Sequence, residues 1–157
     1  MDVRVRRLGE DEALLAAALH VQSVRAAGHA PQPGHLDRFA VTWLAGGPAL
    51  PQWVAEVEGE HCGTVLVRLP VPLPPGVSTR PPLAEVVLLY AGPPGDAHVR
   101  RRELVSRDLL DAALSWAAGH GWAGIELAPD VQVPAPVLDA LGTRVQATQR
   151  RVIPVTR

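Results

Sequence analysis

Apolar and polar positions change period several times along this chain, and each change marks an element. Val3-Arg4-Val5-Arg6 alternates with period two and predicts a short strand. From Glu10-Asp11-Glu12 to about Ala27 the period becomes helical. Acidic residues stand at the positive end, and Leu14, Leu15, Ala18, Leu19, Val21 and Val24 form the expected buried stripe. Residues 28–34 hold two glycines and two prolines and read as a loop. A second helix is expected over 35–45, with Leu36, Phe39, Trp43 and Leu44 on its apolar side, and Pro48 and Pro51 close it. Trp53 to Val57 predicts a strand, Glu58-Gly59-Glu60 a tight turn, and 63–69 an antiparallel return. Residues 70–82 are proline-rich and aperiodic, hence a loop rather than a central strand. Beyond them come a strand at 83–90, a helix at 103–118, a strand at 122–127, a short helix at 134–141 and strands at 144–147 and 149–155.

The expected order is βααβββαβαββ, an α+β domain with a mixed, mostly antiparallel sheet of about seven strands and about four helices. The helical crossover from the fourth strand to the fifth implies a parallel pair. At 157 residues, with 47% hydrophobic residues, the chain suits a single domain over 1–157 with a real core. Its apolar runs are too short for a membrane span and its start lacks a signal pattern, so a cytoplasmic protein is expected. A formal net charge of -1 argues against broad nucleic-acid binding. One cysteine, Cys62, excludes an internal disulfide framework and a cysteine-based zinc site. The six histidines show no i, i+4 pair on an expected helix, so no metal site is expected. All 15 basic residues are arginine, which removes lysine Schiff-base chemistry.

Residues 83–128 carry the chemistry. An apolar strand feeds an arginine-rich loop aimed at a helix start, where unpaired N–H groups and the macrodipole favour a phosphate. Arg100, Arg101, Arg102 and Arg107 supply charge-assisted donors there. The same residues are equally compatible with a solvated arginine cluster on a helix start.

The order of elements, together with four local patterns, resembles the GNAT superfamily of acyl-CoA-dependent N-acetyltransferases. The patterns are Trp53-Val-Ala-Glu-Val-Glu-Gly-Glu-His-Cys-Gly-Thr-Val, then Leu89-Tyr90-Ala91-Gly92-Pro93, then Leu109 through Ala117, then Gly121 with Gly124-Ile125-Glu126-Leu127. The resemblance covers nearly the whole chain. It implies that a bulge splays the fourth strand from the fifth and that the pantetheine arm of acetyl-CoA fills the gap. The backbone N–H of Ala91 would polarise the thioester carbonyl, beside Tyr90. It places the pyrophosphate at Arg101-Arg102-Glu103-Leu104-Val105-Ser106, flanked by Arg100 and Arg107. Glu85, a carboxylate at the start of the fourth strand, is the candidate general base, with a solvated strand-end carboxylate as the plain reading. Strand alternation puts Glu85, Val87 and Leu89 on one face and Val86, Leu88 and Tyr90 on the other.

The chain also departs from the family. Leu104 and Ser106 stand at glycine or small-residue positions, Glu103 adds negative charge, and the loop from Pro93 to Arg101 is longer. Leu138 occupies the place of the family's proton-donating tyrosine, and Tyr90 is the only tyrosine in the chain. Two functions follow from the resemblance. One is N-acyl transfer from CoA to the amine of a small molecule or peptide, in a ternary complex. The other is a non-catalytic domain of the same fold that binds another small ligand or a protein partner. A sheet edge at 149–155 would suit a homodimer.

Overall fold

The computed structural model describes residues 1–71, 73–74, 76–77 and 81–142. They form one five-stranded sheet in the order β1-β2-β3-β4-β5, with β1 Arg4–Arg7, β2 Gln52–Val57, β3 Glu60–Arg68, β4 Leu83–Tyr90 and β5 Gly124–Leu127. The first four are antiparallel neighbours, and β4 pairs parallel with β5. Four α-helices accompany them: α1 Ala13–Ala26, α2 His35–Gly46, α3 Val99–Gly119 and α4 Ala135–Ala140. Over these residues the order matches the expected one. The two further strands expected at 144–147 and 149–155 lie outside the described residues, so the described sheet has five strands rather than seven.

The sheet separates two apolar layers. On one side Val105, Leu109, Leu110 and Ala113 of α3 and Val137 of α4 pack on Trp53, Ala55, Val65, Val67, Ala84 and Val86. On the other, Ala13, Ala16, Ala17 and Leu19 of α1 and Ala40 and Trp43 of α2 pack on Val54 and Leu66. The buried side of α1 differs from the expected one. Its alanines lie against the sheet, which they can approach closely, while Leu14 is 63% exposed.

The hairpin between β2 and β3 turns at Glu58 (φ 54°) and Gly59 (φ 82°). Two successive left-handed residues match the twist of the strands they join, and glycine takes the second at no steric cost. Arg6 ties the sheet edge together. It donates two hydrogen bonds to Glu12 (2.8 and 2.9 Å) and one to Glu56 (2.8 Å), while the Gly9 N–H donates to Glu12 (2.8 Å). Glu12 thus closes the turn that starts the first helical segment. Both carboxylates are held below their ordinary pKa, chiefly by hydrogen bonds from Arg6.

Two corrections bear on the site. α3 begins at Val99, four residues before the expected start, so the arginine-rich stretch is helical. A single-turn helix, Asp96–His98, leads into it after Gly95 (φ 118°). From Ala97 to Ala118 there is no glycine or proline, so nothing interrupts the helical ladder where the family pattern has glycine. The second correction is to the faces of β4. Leu66 pairs with Leu88 and Val67 with Val86, so Val87 is the extra residue of a bulge. Val87 and Leu88 both pack toward α1 and α2, while Leu89 returns to the α3 side with Val86. Simple alternation fails at that point.

Candidate functional site

The bulge at Val87 coincides with the end of the β4–β5 ladder. Pairing runs from Leu83 opposite Gly124 to Val86 opposite Leu127, with a last bond from Ala128 N–H to Val86 C=O (2.9 Å). Beyond it β4 continues to Tyr90 with no β5 partner, and residues 87–91 are all partly exposed. Among the described residues the sheet is therefore forked, with one rim of the fork formed by the open edge of β4. A row of unpaired backbone groups on such an edge is available to an extended ligand.

Ala91 stands at the tip of that edge. Its neighbourhood is crowded because Gly63 of β3 has no side chain. A Cβ on Gly63 would lie 2.7 Å from the Tyr90 carbonyl oxygen, 2.7 Å from Val105 of α3 and 3.3 Å from the Ala91 Cα. A glycine inside a strand pattern is the usual sign of such a close approach, and it was available in the sequence. Tyr90 pairs with Thr64 across the ladder. Burial raises its phenol above the ordinary pKa.

The arginines divide into three roles. Arg101 lies against the Cys62 thiol, whose pKa burial raises and Arg101 opposes. That contact places Arg101 beside β3 and the tip of β4. Arg102 donates to the carbonyls of Pro93 (3.0 Å) and Gly95 (2.8 Å) and so ties down the loop that follows β4. Arg100 and Arg107 line a cavity of about 420 Å³ with Glu103, Leu104, Pro136, Val137 and Ala140, between the start of α3 and α4. Arg107 is also paired with its neighbour Asp108 (3.0 Å). Val105 and Ser106 lie on the buried face of α3. The helical course of this segment puts the N–H groups of Leu104, Val105 and Ser106 in i→i−4 bonds, so they are not free to receive a phosphate. Past the first turn of α3, side chains carry whatever anion affinity the segment has. The contribution of Pro136, Val137 and Ala140 was not foreseen, since only the packing of α4 on α3 brings them there.

Glu85 lies elsewhere. It belongs to the paired half of β4, opposite Glu126, and Arg68 donates to its carboxylate through Nε (3.0 Å) and Nη2. It is 8% exposed. Five residues lie between it and Ala91, a span of roughly 20 Å at the usual strand rise. The fork tip and Glu85 therefore do not form one catalytic cluster.

No family model and no curated protein matches this chain. Solved structures do. A ribosomal-protein-alanine N-acetyltransferase from Brucella melitensis biovar Abortus 2308 is 22% identical, with 99% of this chain and 100% of that chain covered at a TM-score of 0.68. The aminoglycoside N-acetyltransferase AAC(6')-Iy, in complex with a CoA-based bisubstrate analogue, is 19% identical with 100% and 99% covered, also at 0.68. A predicted acetyltransferase from Clostridium acetobutylicum, solved with acetyl-CoA, is 14% identical with 97% and 96% covered at 0.69. The fold is that of the GNAT acetyltransferases. Among the described residues no helix is long and apolar enough to cross a membrane, and no cluster of three metal-ligating side chains occurs.

Proposed function

We propose that this chain is an N-acyltransferase that moves an acetyl or other acyl group from acetyl-CoA to the amine of a small molecule or peptide. The observation that carries the proposal is the fork, which opens where the Val87 bulge ends pairing with β5. The open β4 edge suits an extended pantetheine arm. Arg101 at the tip, and Arg100 and Arg107 in the adjoining cavity, suit its phosphates. Bound acyl-CoA supplies the activated thioester. The Ala91 N–H stabilises negative charge on the carbonyl oxygen as the amine nitrogen attacks the carbonyl carbon. The C–S bond then breaks, the thiol sulfur leaves as thiolate, and the nitrogen loses its proton to water. Tyr90 and the chain around it hold the strand tip. Arg102 fixes the loop, while Leu104, Val105 and Ser106 seat α3. Glu85, paired with Arg68 on the closed half of β4, serves as an anchor of that strand rather than as the base.

A second reading has its own observation. The helical course of residues 104–106 ties up their backbone N–H groups, and Glu103 places a carboxylate in the arginine-lined cavity. Both favour a non-catalytic domain that binds a different ligand.

Calorimetric titration with acetyl-CoA and with CoA separates the two. Micromolar binding that weakens roughly tenfold or more in Arg101→Ala is expected, as for loss of a charge-assisted contact. An unchanged affinity in that variant would remove Arg101 from the site. No binding up to millimolar ligand would favour the second reading.

A further inference from the structure

His20 of α1 and His35 of α2 meet across the loop that joins the two helices. Nδ1 of His20 lies 2.7 Å from Nε2 of His35, with the ring planes 10° apart and the centroids 4.8 Å apart. The rings therefore lie nearly in line, each nitrogen aimed at the other, as one N–H···N bond requires. Phe39 stacks on His20, and both imidazoles are half-buried.

The loop itself, residues 28–34, is tied mostly to near neighbours. The His29 N–H donates to the Val24 carbonyl (3.1 Å) and the His35 N–H to the Gln32 carbonyl (3.0 Å). Arg38 donates to the Gly34 carbonyl through its backbone (3.1 Å) and to the Pro33 carbonyl through Nη1 (2.7 Å). The imidazole pair, by contrast, is 15 positions apart and bridges the whole loop. Gly28 (φ 82°) and Gly34 (φ 71°) stand at the two ends, where glycine turns without strain.

The number of protons decides whether the bridge holds. Two neutral imidazoles carry one N–H each, so one inner nitrogen donates and the other accepts. A first added proton goes to the bare outer nitrogen of the donor ring, and the inner bond survives as a charge-assisted one. A second must occupy the accepting inner nitrogen. Two N–H groups on two like charges then confront each other, and the bond is lost. Burial, and then the charge of His35, hold His20 below its ordinary pKa and so resist that second proton. Other charges stand off. Arg25, His29 and Asp37 are exposed, and Arg38 is turned to Pro33. Ser23 donates to the His20 carbonyl (2.7 Å), and β4 presents Val87 and Leu88 on this side of the sheet.

We propose that His20 and His35 form an acid-opened latch on the α1–α2 hairpin. It stays closed while the pair holds at most one added proton. The second proton opens it and frees residues 28–34 to swing about Gly28 and Gly34. The latch acts independently of acyl-CoA.

The test is nuclear magnetic resonance of the ¹⁵N-labelled protein between pH 7.5 and pH 4.5. It follows the imidazole nitrogens of both histidines and the amide exchange of residues 28–35, taken as protection against the intrinsic rate at each pH. The two rings are expected to titrate in steps about one pH unit or more apart. Protection of the His29 and His35 amides should fall about tenfold or more with the second step and stay unchanged through the first. In His35→Phe, and separately in His20→Phe, the remaining histidine should titrate in one step with no step in protection. The latch is overturned by a common midpoint for both rings, by protection lost with the first proton or kept through the second, or by a protection step that persists in the variants.

Discussion

His20 shows how a single side chain can make stability depend on pH. Its Nδ1 lies 2.7 Å from Nε2 of His35, with the ring planes 10° apart and the centroids 4.8 Å apart. That spacing describes two rings side by side, joined by one N–H···N bond, so one nitrogen must be bare. Phe39 stacks on His20 with ring centroids 4.5 Å apart. Burial, and then the charge of His35, push the His20 pKa below the ordinary 6.5. The unfolded chain therefore binds the proton more readily than the folded one. Stability is full above about pH 6.5 and falls as pH drops from there through the lower folded value. Denaturant melts at pH 7.5 and 5.5 should differ, and His20→Phe should shrink the difference. A His20 imidazole titrating at or above 6.5 by NMR would refute this. The sequence displayed two histidines on successive helices and no periodicity that joined them, because the contact depends on how α1 and α2 pack.

At the scale of elements, the order and type of structure were legible and the junctions were not. The β2–β3 hairpin announced itself through two short apolar runs joined by a Glu-Gly turn, both local properties. The bulge at Val87 is a mismatch between two strands and has no local mark in an all-apolar run. The early start of α3 followed from missing glycines, although the loop pattern of the resembled family pointed the other way. Gly63 is where these elements meet, beneath Val105 and against Tyr90 and Ala91. Gly63→Val should therefore push α3 away from the fork tip. A loss of about 1–3 kcal/mol is expected from overpacking, measured by urea unfolding, with acetyl-CoA affinity falling more than in a surface control. Wild-type stability and affinity in that variant would show that the close approach is relaxed in solution. Acid acts on another junction, where Arg6 joins β1, the first helical turn and β2. The depressed carboxylates of Glu12 and Glu56 contribute stability above the unfolded carboxylate pKa of about 4.5, lost as pH falls through their lower folded values. Glu12→Gln should lower stability at pH 7 and flatten the acid limb of a pH–stability curve. A limb as steep as the wild type's would assign the acid loss elsewhere.

Over the described residues of the whole molecule, the β4–β5 ladder is closed at one end and open at the other, and fluctuations should follow that asymmetry. Among the described residues, 83–86 of β4 have strands on both sides, whereas beyond Val86 β4 has only β3 beside it. Backbone amides on the open side of 87–91 should exchange with solvent much faster than those of 83–86, because exposed and unpaired backbone opens at low free energy. If an acyl-CoA arm occupies the fork, it supplies the missing edge, and these amides should slow by tenfold or more in excess acetyl-CoA. The gain extends to the whole fold by linkage. A ligand at about a hundred times its Kd adds about 2.7 kcal/mol, which for a domain of this size raises Tm by roughly 5–10 °C. The two readouts check each other. A rise in Tm with unchanged exchange at 87–91 would place the ligand outside the fork, in the arginine-lined cavity alone. Slowed exchange confined to 87–91 and the loop after β5, together with the rise, would mean that one ligand closes the open end of the sheet.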